Sequence, residues 1–183
     1  MQSLPDHLMT VDEFLPWAVA QGRGRYELHD GRVIMMSPER AAHWKTKGAV
    51  FVTLRDAVKA AGLACHAVPD GATVRVSAKT AFEPDALVYC GDEVPGNALE
   101  APNPVIVVEV LSPGTEATDM RDKLHGYFTL PGVHHYLIVD PDKRMVIHHA
   151  RGSGDALQTR LLTSGAVMLE PPGLSIEAGA FFD

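Results

Sequence analysis

The chain has 183 residues, 46% hydrophobic and 21% charged, and its 16 Lys+Arg against 23 Asp+Glu give a formal net charge of −7. That is enough chain for one domain with its own core, and residues 1–183 are expected to form a single domain. The acidic balance gives no general attraction to nucleic acid, so any nucleic-acid site has to be a local basic patch or a metal-bridged one.

In chain order, the start MQSLPDHLMTVDEF has neither the basic nor the apolar region of a signal peptide, and no apolar run is long enough to span a bilayer, so the cytoplasm is the expected location. Thr10-Val11-Asp12-Glu13 has the form of a capping box and predicts a short helix, with a kink or restart at Pro16. Residues 25–28 and 33–36 flank an Asp-Gly pair and predict a hairpin, with Glu27 on its first arm. Ser37-Pro38-Glu39 supplies a cap, a first-turn Pro and a first-turn acid for a helix running to about Ala61, with Gly62 beyond its end. Trp44, Phe51, Leu54 and Val58 are its expected buried face, and Lys45 and Lys47 its solvated one.

Residues 65–68 and 73–76 predict strands around Pro69-Asp70-Gly71. A third strand spans 82–89, with Pro84 at its mouth, and residues 91–103 are a loop. Cys65 and Cys90 lack metal-ligand spacing and read as reduced thiols in or near the core. Residues 104–114, PVIVVEVLSPG, are a β-branched run broken by one carboxylate, Glu109, which predicts a strand buried on both faces. Residues 119–130 form a helix that puts Asp119, Lys123 and Tyr127 on one side. Strands at 133–139 and 145–149 and three shorter ones, at 158–162, 167–169 and 174–176, complete the chain. The histidine pairs 134–135 and 148–149 read as sheet-face residues.

Glu27, Asp85 and Glu109 each lie in or beside a predicted strand. Two carboxylates brought together at a sheet edge repel each other unless a divalent cation lies between them, and their hard oxygens favour Mg²⁺ or Mn²⁺. A lysine from the next helix, Lys123, can orient a water or stabilise charge on a phosphoryl oxygen. Taken singly, each residue has an ordinary structural reading: a turn at Asp85, a buried Glu109–Lys123 pair, a cross-strand partner for Glu27.

The segments YELHDGRVIMMSP, EPDALVY and PVIVVEVLSPGTEATDMRDKLHGYFTLPGVHHYLIVDP, together with His43, resemble the Uma2 family of restriction-endonuclease-like proteins (DUF820) in the PD-(D/E)XK nuclease superfamily. The resemblance implies an α/β (α+β) fold, a restriction endonuclease-like mixed β-sheet flanked by helices with extra β-hairpins. It implies a hydrolase acting on DNA phosphodiesters with Mg²⁺ or Mn²⁺, held by Asp85, Glu109 and the Val110 carbonyl. It also implies Glu27 as an additional acid, Lys123 in place of the superfamily lysine that Leu111 replaces, and Asp119, Tyr127 and His43 in support. A homodimer is compatible with cutting two strands. A catalytically silent binding or regulatory relative and a hydrolase of small phosphoesters are the competing readings.

Overall fold

The computed structural model describes residues 4–22, 24–112, 118–154 and 156–183, with the backbone alone for 118 and 119. The elements run α1 (Val11–Ala20), β1 (Tyr26–His29), β2 (Arg32–Met35), α2 (Ala41–Ala60), β3 (Cys65–Pro69), β4 (Val74–Ser77), β5 (Thr80–Phe82) and β6 (Ala86–Cys90). They continue with β7 (Pro104–Val110), α3 (Thr118–Thr129), β8 (His135–Asp140), β9 (Met145–Arg151), β10 (Leu157–Leu162), β11 (Ala166–Leu169) and β12 (Leu174–Glu177), and end in a 3₁₀ turn at Ala178–Phe182.

The main sheet has six strands in the order β10-β9-β8-β7-β6-β3. β7 and β8 are its one parallel pair, joined through α3, because parallel neighbours need a crossover. The run at 104–110 is thus an interior strand, as its continuous β-branched character predicts. Its alternation divides the core. Ile106, Val108 and Val110 face α2 and the β11–β12 hairpin, while Val107 lies with Tyr127 and Tyr136 on the α3 side. A four-stranded sheet, β2-β1-β5-β4, packs with α1 around Phe14, Leu28 and Ala81. Among the described residues no helix is long and apolar enough to cross a membrane.

Several expectations hold. The Thr10–Glu13 capping box starts α1, which runs through Pro16 without a restart. Asp30 and Gly31, at φ 49° and 83°, make the hairpin turn between β1 and β2. Gly62 follows α2 at φ 63°.

Others are corrected. α2 starts at Ala41 rather than at Ser37, with Arg40 as its N-cap and no capping side chain. The Glu39 carboxylate binds Arg25 and Lys47 instead of serving a first helical turn. The buried face of α2 is His43, Thr46, Lys47, Val50, Leu54 and Val58, so Lys47 is inside and Trp44 outside. The predicted strand at 82–89 is two strands in different sheets: Phe82 ends β5, residues 83–85 turn, and β6 begins at Ala86. β3 and β4 likewise belong to different sheets. Cys65 and Cys90 are disulfide-bonded, not reduced, because the antiparallel register of β3 on β6 sets them directly opposite each other. A separation of 25 residues carries no sign of that pairing in the sequence.

His135 and His148 are buried on one sheet face, with ring nitrogens 2.9 Å apart, and His135 Nε2 reaches the Pro171 carbonyl at 2.9 Å. Burial lowers both to about 4. The Pro171 carbonyl opposes the drop at His135, and the charge of His135 adds to it at His148. A depressed folded value means that the unfolded chain takes up protons first. Stability is full above the unfolded value of about 6.5 and falls as pH drops from there toward about 4. Urea denaturation should show a loss of about 2 kcal/mol at pH near 5 for one such histidine, and His148→Gln should flatten that dependence.

Candidate active site at the end of the central strand

The antiparallel register Ala86↔Val108 would bring Pro84 opposite Val110, where proline cannot complete the ladder. The Asp85 side chain takes over, and Val110 N–H donates to Asp85 Oδ2 at 2.6 Å. The Pro-Asp turn therefore fixes one carboxylate against the peptide that follows Glu109. The other Asp85 oxygen lies 2.8 Å from Lys47 Nζ. From the same helix, His43 Nε2 donates to the Val110 carbonyl at 2.7 Å. Nε2 carries the proton in that bond because a carbonyl only accepts.

On the α3 side, Lys123 Nζ lies 3.0 Å from Glu27 Oε1 and 3.1 Å from Glu109 Oε1. Tyr127 donates its hydroxyl to Glu109 Oε1 at 2.8 Å. Glu27 also accepts from the Glu83 N–H at 2.9 Å and from His29 Nε2 at 3.0 Å. Gly126 permits this approach: a Cβ there would lie 2.8 Å from the Phe82 ring, so only glycine lets α3 settle onto β5 between Lys123 and Tyr127.

The two glutamates that share Lys123 have opposite proton affinities. Burial pushes Glu27 up, but the His29 hydrogen bond, the Lys123 charge and the Glu83 N–H outweigh it and bring the carboxyl down to about 2. Burial also pushes Glu109 up. Lys123 pulls it back, repulsion from Asp85 and Glu27 adds to the rise, and the net direction is upward, to about 8. Burial and the neighbouring Glu109 charge hold the Tyr127 phenol well above its usual value. Lys47 is raised: burial works against its charge, and Asp85, Asp70 and Glu39 outweigh it.

The structure thus brings Asp85, Glu109, Val110, Lys123, Glu27, Tyr127 and His43 to one end of β7. The Asp119 side chain lies outside the described residues. Sequence reasoning missed a second layer. Lys47 bridges Asp85 to Asp70 at 2.7 Å and Glu39 at 2.6 Å, and Arg25 joins Glu39, Asp70 and Glu83. The signal was present: 43, 47, 50, 54 and 58 are one helical face, and its first two members are polar. Six carboxylates, Glu27, Glu39, Asp70, Glu83, Asp85 and Glu109, are connected here to three permanent cations, Arg25, Lys47 and Lys123.

Among the described residues no three His, Cys, Asp or Glu side chains converge as a ready-made metal cage. The oxygens at the end of β7 are two carboxylates and one backbone carbonyl, a partial, all-oxygen donor set. That suits a hard divalent cation which keeps several waters, and does not suit zinc.

The profile of the Uma2 family, described as "Putative restriction endonuclease", matches residues 11–179. A relative in Synechocystis sp., the uncharacterized protein slr1290, is 26% identical over 185 residues, covering 98% of this chain and 94% of its own. The fold is shared with a crystal structure from Anabaena variabilis, described as a "putative nuclease belonging to DUF820". Its TM-score is 0.72 at 19% identity, with 95% of this chain and 97% of that one covered. By the extent of that family match, with the shared mixed α/β fold beneath it, the chain belongs to the Uma2 family.

Proposed function

We propose that the chain is a Mg²⁺- or Mn²⁺-dependent nuclease that hydrolyses DNA phosphodiesters, with the cation held by Asp85, Glu109 and the Val110 carbonyl. The observation that carries this reading is the charge excess: six carboxylates are paired with three permanent cations, and Glu109 is the member whose ionisation burial opposes, with repulsion from Asp85 and Glu27 added and Lys123 acting against it. Glu27 and Asp85 are buried and Glu109 is nearly so; a structural salt-bridge cluster gains nothing from surplus carboxylates that are kept from water, whereas a divalent-cation site requires them. When bound, the cation supplies Lewis acidity at the phosphoryl oxygen and toward the attacking water.

The chain's own groups do the rest. Lys123, fixed between Glu27 and Glu109, offers an ammonium to the charge that builds on the phosphoryl oxygens. Glu27 stays ionised and holds that ammonium in place. Tyr127 orients Glu109, and Lys47 with the Val110 N–H orients Asp85. A homodimer that presents two such sites to a duplex, and residence in the cytoplasm with its substrate, belong to the same proposal. The Cys65–Cys90 disulfide would be an exception among proteins of that compartment.

A second reading, a catalytically silent relative, is favoured by Lys47 on Asp85 and His43 on the Val110 carbonyl, which already satisfy two of the three ligand groups. Mn²⁺ titration calorimetry separates the two. The nuclease should bind Mn²⁺ with release of the Glu109 proton, so affinity should climb with pH and level off near pH 8. Lys123→Met should reduce DNA cleavage roughly 10²–10³-fold and, because Lys123 favours the ionised Glu109, move the rise of Mn²⁺ affinity to higher pH. Failure to cut DNA with either metal would sink the proposal.

A further inference from the structure

The exposed face of α2 carries one large aromatic residue with no packing role. Trp44 is 53% exposed, and it follows His43, the residue bonded to Val110 at the candidate site. Its neighbours by helical spacing leave the ring open. Ala41 precedes it by three residues and Gly48 follows it by four, the position whose side chain would lean back over the indole. Gly48 is unexplained by packing, since a Cβ there would meet nothing within 4 Å. Glycine is the poorest helix former after proline, so its place inside a 20-residue helix needs another reason. Lys45 Nζ lies 5.9 Å from the ring centroid, and the exposed Arg40 caps the same end of the helix. Neither cation is in an ion pair among the described residues.

A half-exposed indole with one ammonium over its ring and a guanidinium at the same helix end, on a chain of net charge −7, is complementary to a nucleobase and its phosphates. We propose that Trp44 is a stacking platform for an unpaired nucleobase, with Arg40 and Lys45 on the flanking phosphates, so that the protein engages single-stranded or locally opened nucleic acid. A base inside a duplex offers no free face to an indole, so the platform selects unpaired segments. The inference rests on the nuclease reading for its purpose, and its binding step needs no catalysis.

The test is fluorescence and anisotropy titration of the full chain with labelled oligothymidylate in EDTA, beside a duplex of mixed sequence. Trp17→Phe isolates the Trp44 emission, which should be quenched on binding. Trp44→Ala should weaken oligothymidylate binding about 10- to 100-fold, while Trp44→Phe keeps affinity within about threefold. Lys45→Gln should lower the salt slope by about one. Unchanged binding by Trp44→Ala overturns the proposal. So does loss of a dimer on sedimentation with oligothymidylate affinity intact, which would make this face a contact for a second copy. Cleavage that persists in Trp44→Ala with unchanged binding removes the platform and leaves the nuclease. Quenching without any cleavage removes the nuclease and leaves the platform.

Discussion

Asp85→Asn is expected to lower Mn²⁺-supported DNA cleavage on the order of 10³-fold and to remove the Mn²⁺ site from a calorimetric titration, while the chain stays folded. The asparagine amide oxygen can still accept from the Val110 N–H, so the turn after Pro84 keeps its anchor. What disappears is one formal charge at the point where Asp85, Glu109 and the Val110 carbonyl meet. Like Asp85→Ala it takes from Lys47 an acceptor at 2.8 Å, because the amide NH₂ then faces the ammonium, but it is the cleaner probe since Asp85→Ala also frees the Val110 N–H. Cleavage within tenfold of the unaltered chain, with circular dichroism unchanged, would take Asp85 out of the machinery.

Lys47→Met should be the most destabilising single change at the site, by about 3 kcal/mol in urea denaturation near neutral pH. The Lys47 ammonium is 5% exposed and touches three carboxylates at 2.6–2.8 Å. Methionine keeps the volume of the stem and removes the charge, which leaves the buried Asp85 facing Glu39 and Asp70, with His43 Nε2 3.7 Å from Asp85 and Arg25 still on the other two. Glu39 and Asp70 reach solvent and relax part of that penalty, which is why the expected cost sits at the low end for a broken buried pair. Lys45→Met, two residues earlier on the opposite face of α2 and exposed, should change stability by less than about 0.5 kcal/mol. Equal effects of the two substitutions would refute the role assigned to Lys47.

The contrast between Lys45 and Lys47 also shows where the sequence was legible. Elements governed by local chemistry could be read directly: the Thr10–Glu13 box, the Asp30-Gly31 turn, the β-branched run that becomes β7 and the end of α2 at Gly62. The expected convergence was of Asp85, Glu109 and Lys123, with Glu27 as an additional acid; Lys123 reaches Glu27 and Glu109, while Asp85 is held by Lys47, because strand order and a crossover helix decide such meetings and no local spacing encodes them. Misreadings arose where a distant partner decides the outcome. Glu39 looked like a first-turn acid and is instead an acceptor for Arg25 and Lys47. Lys47 looked solvated because ammonium groups usually are, and three carboxylates from three other segments bring it inside. Phe82 looked continuous with β6, and the Pro84 turn sends it to another sheet. Cys65 and Cys90 became opposite neighbours only through the β3–β6 register.

The hydrogen bond from Val110 to Asp85 makes one backbone amide a built-in isotope-exchange sensor. Its neighbours on β7 are protected by ladder partners, whereas this proton is shielded by a side chain that a ligand would have to engage. Deuterium uptake at Val110 should therefore quicken when Mn²⁺ draws on the carboxylate, while Val107 and Val108 stay protected, so occupancy could be followed in solution without any substrate.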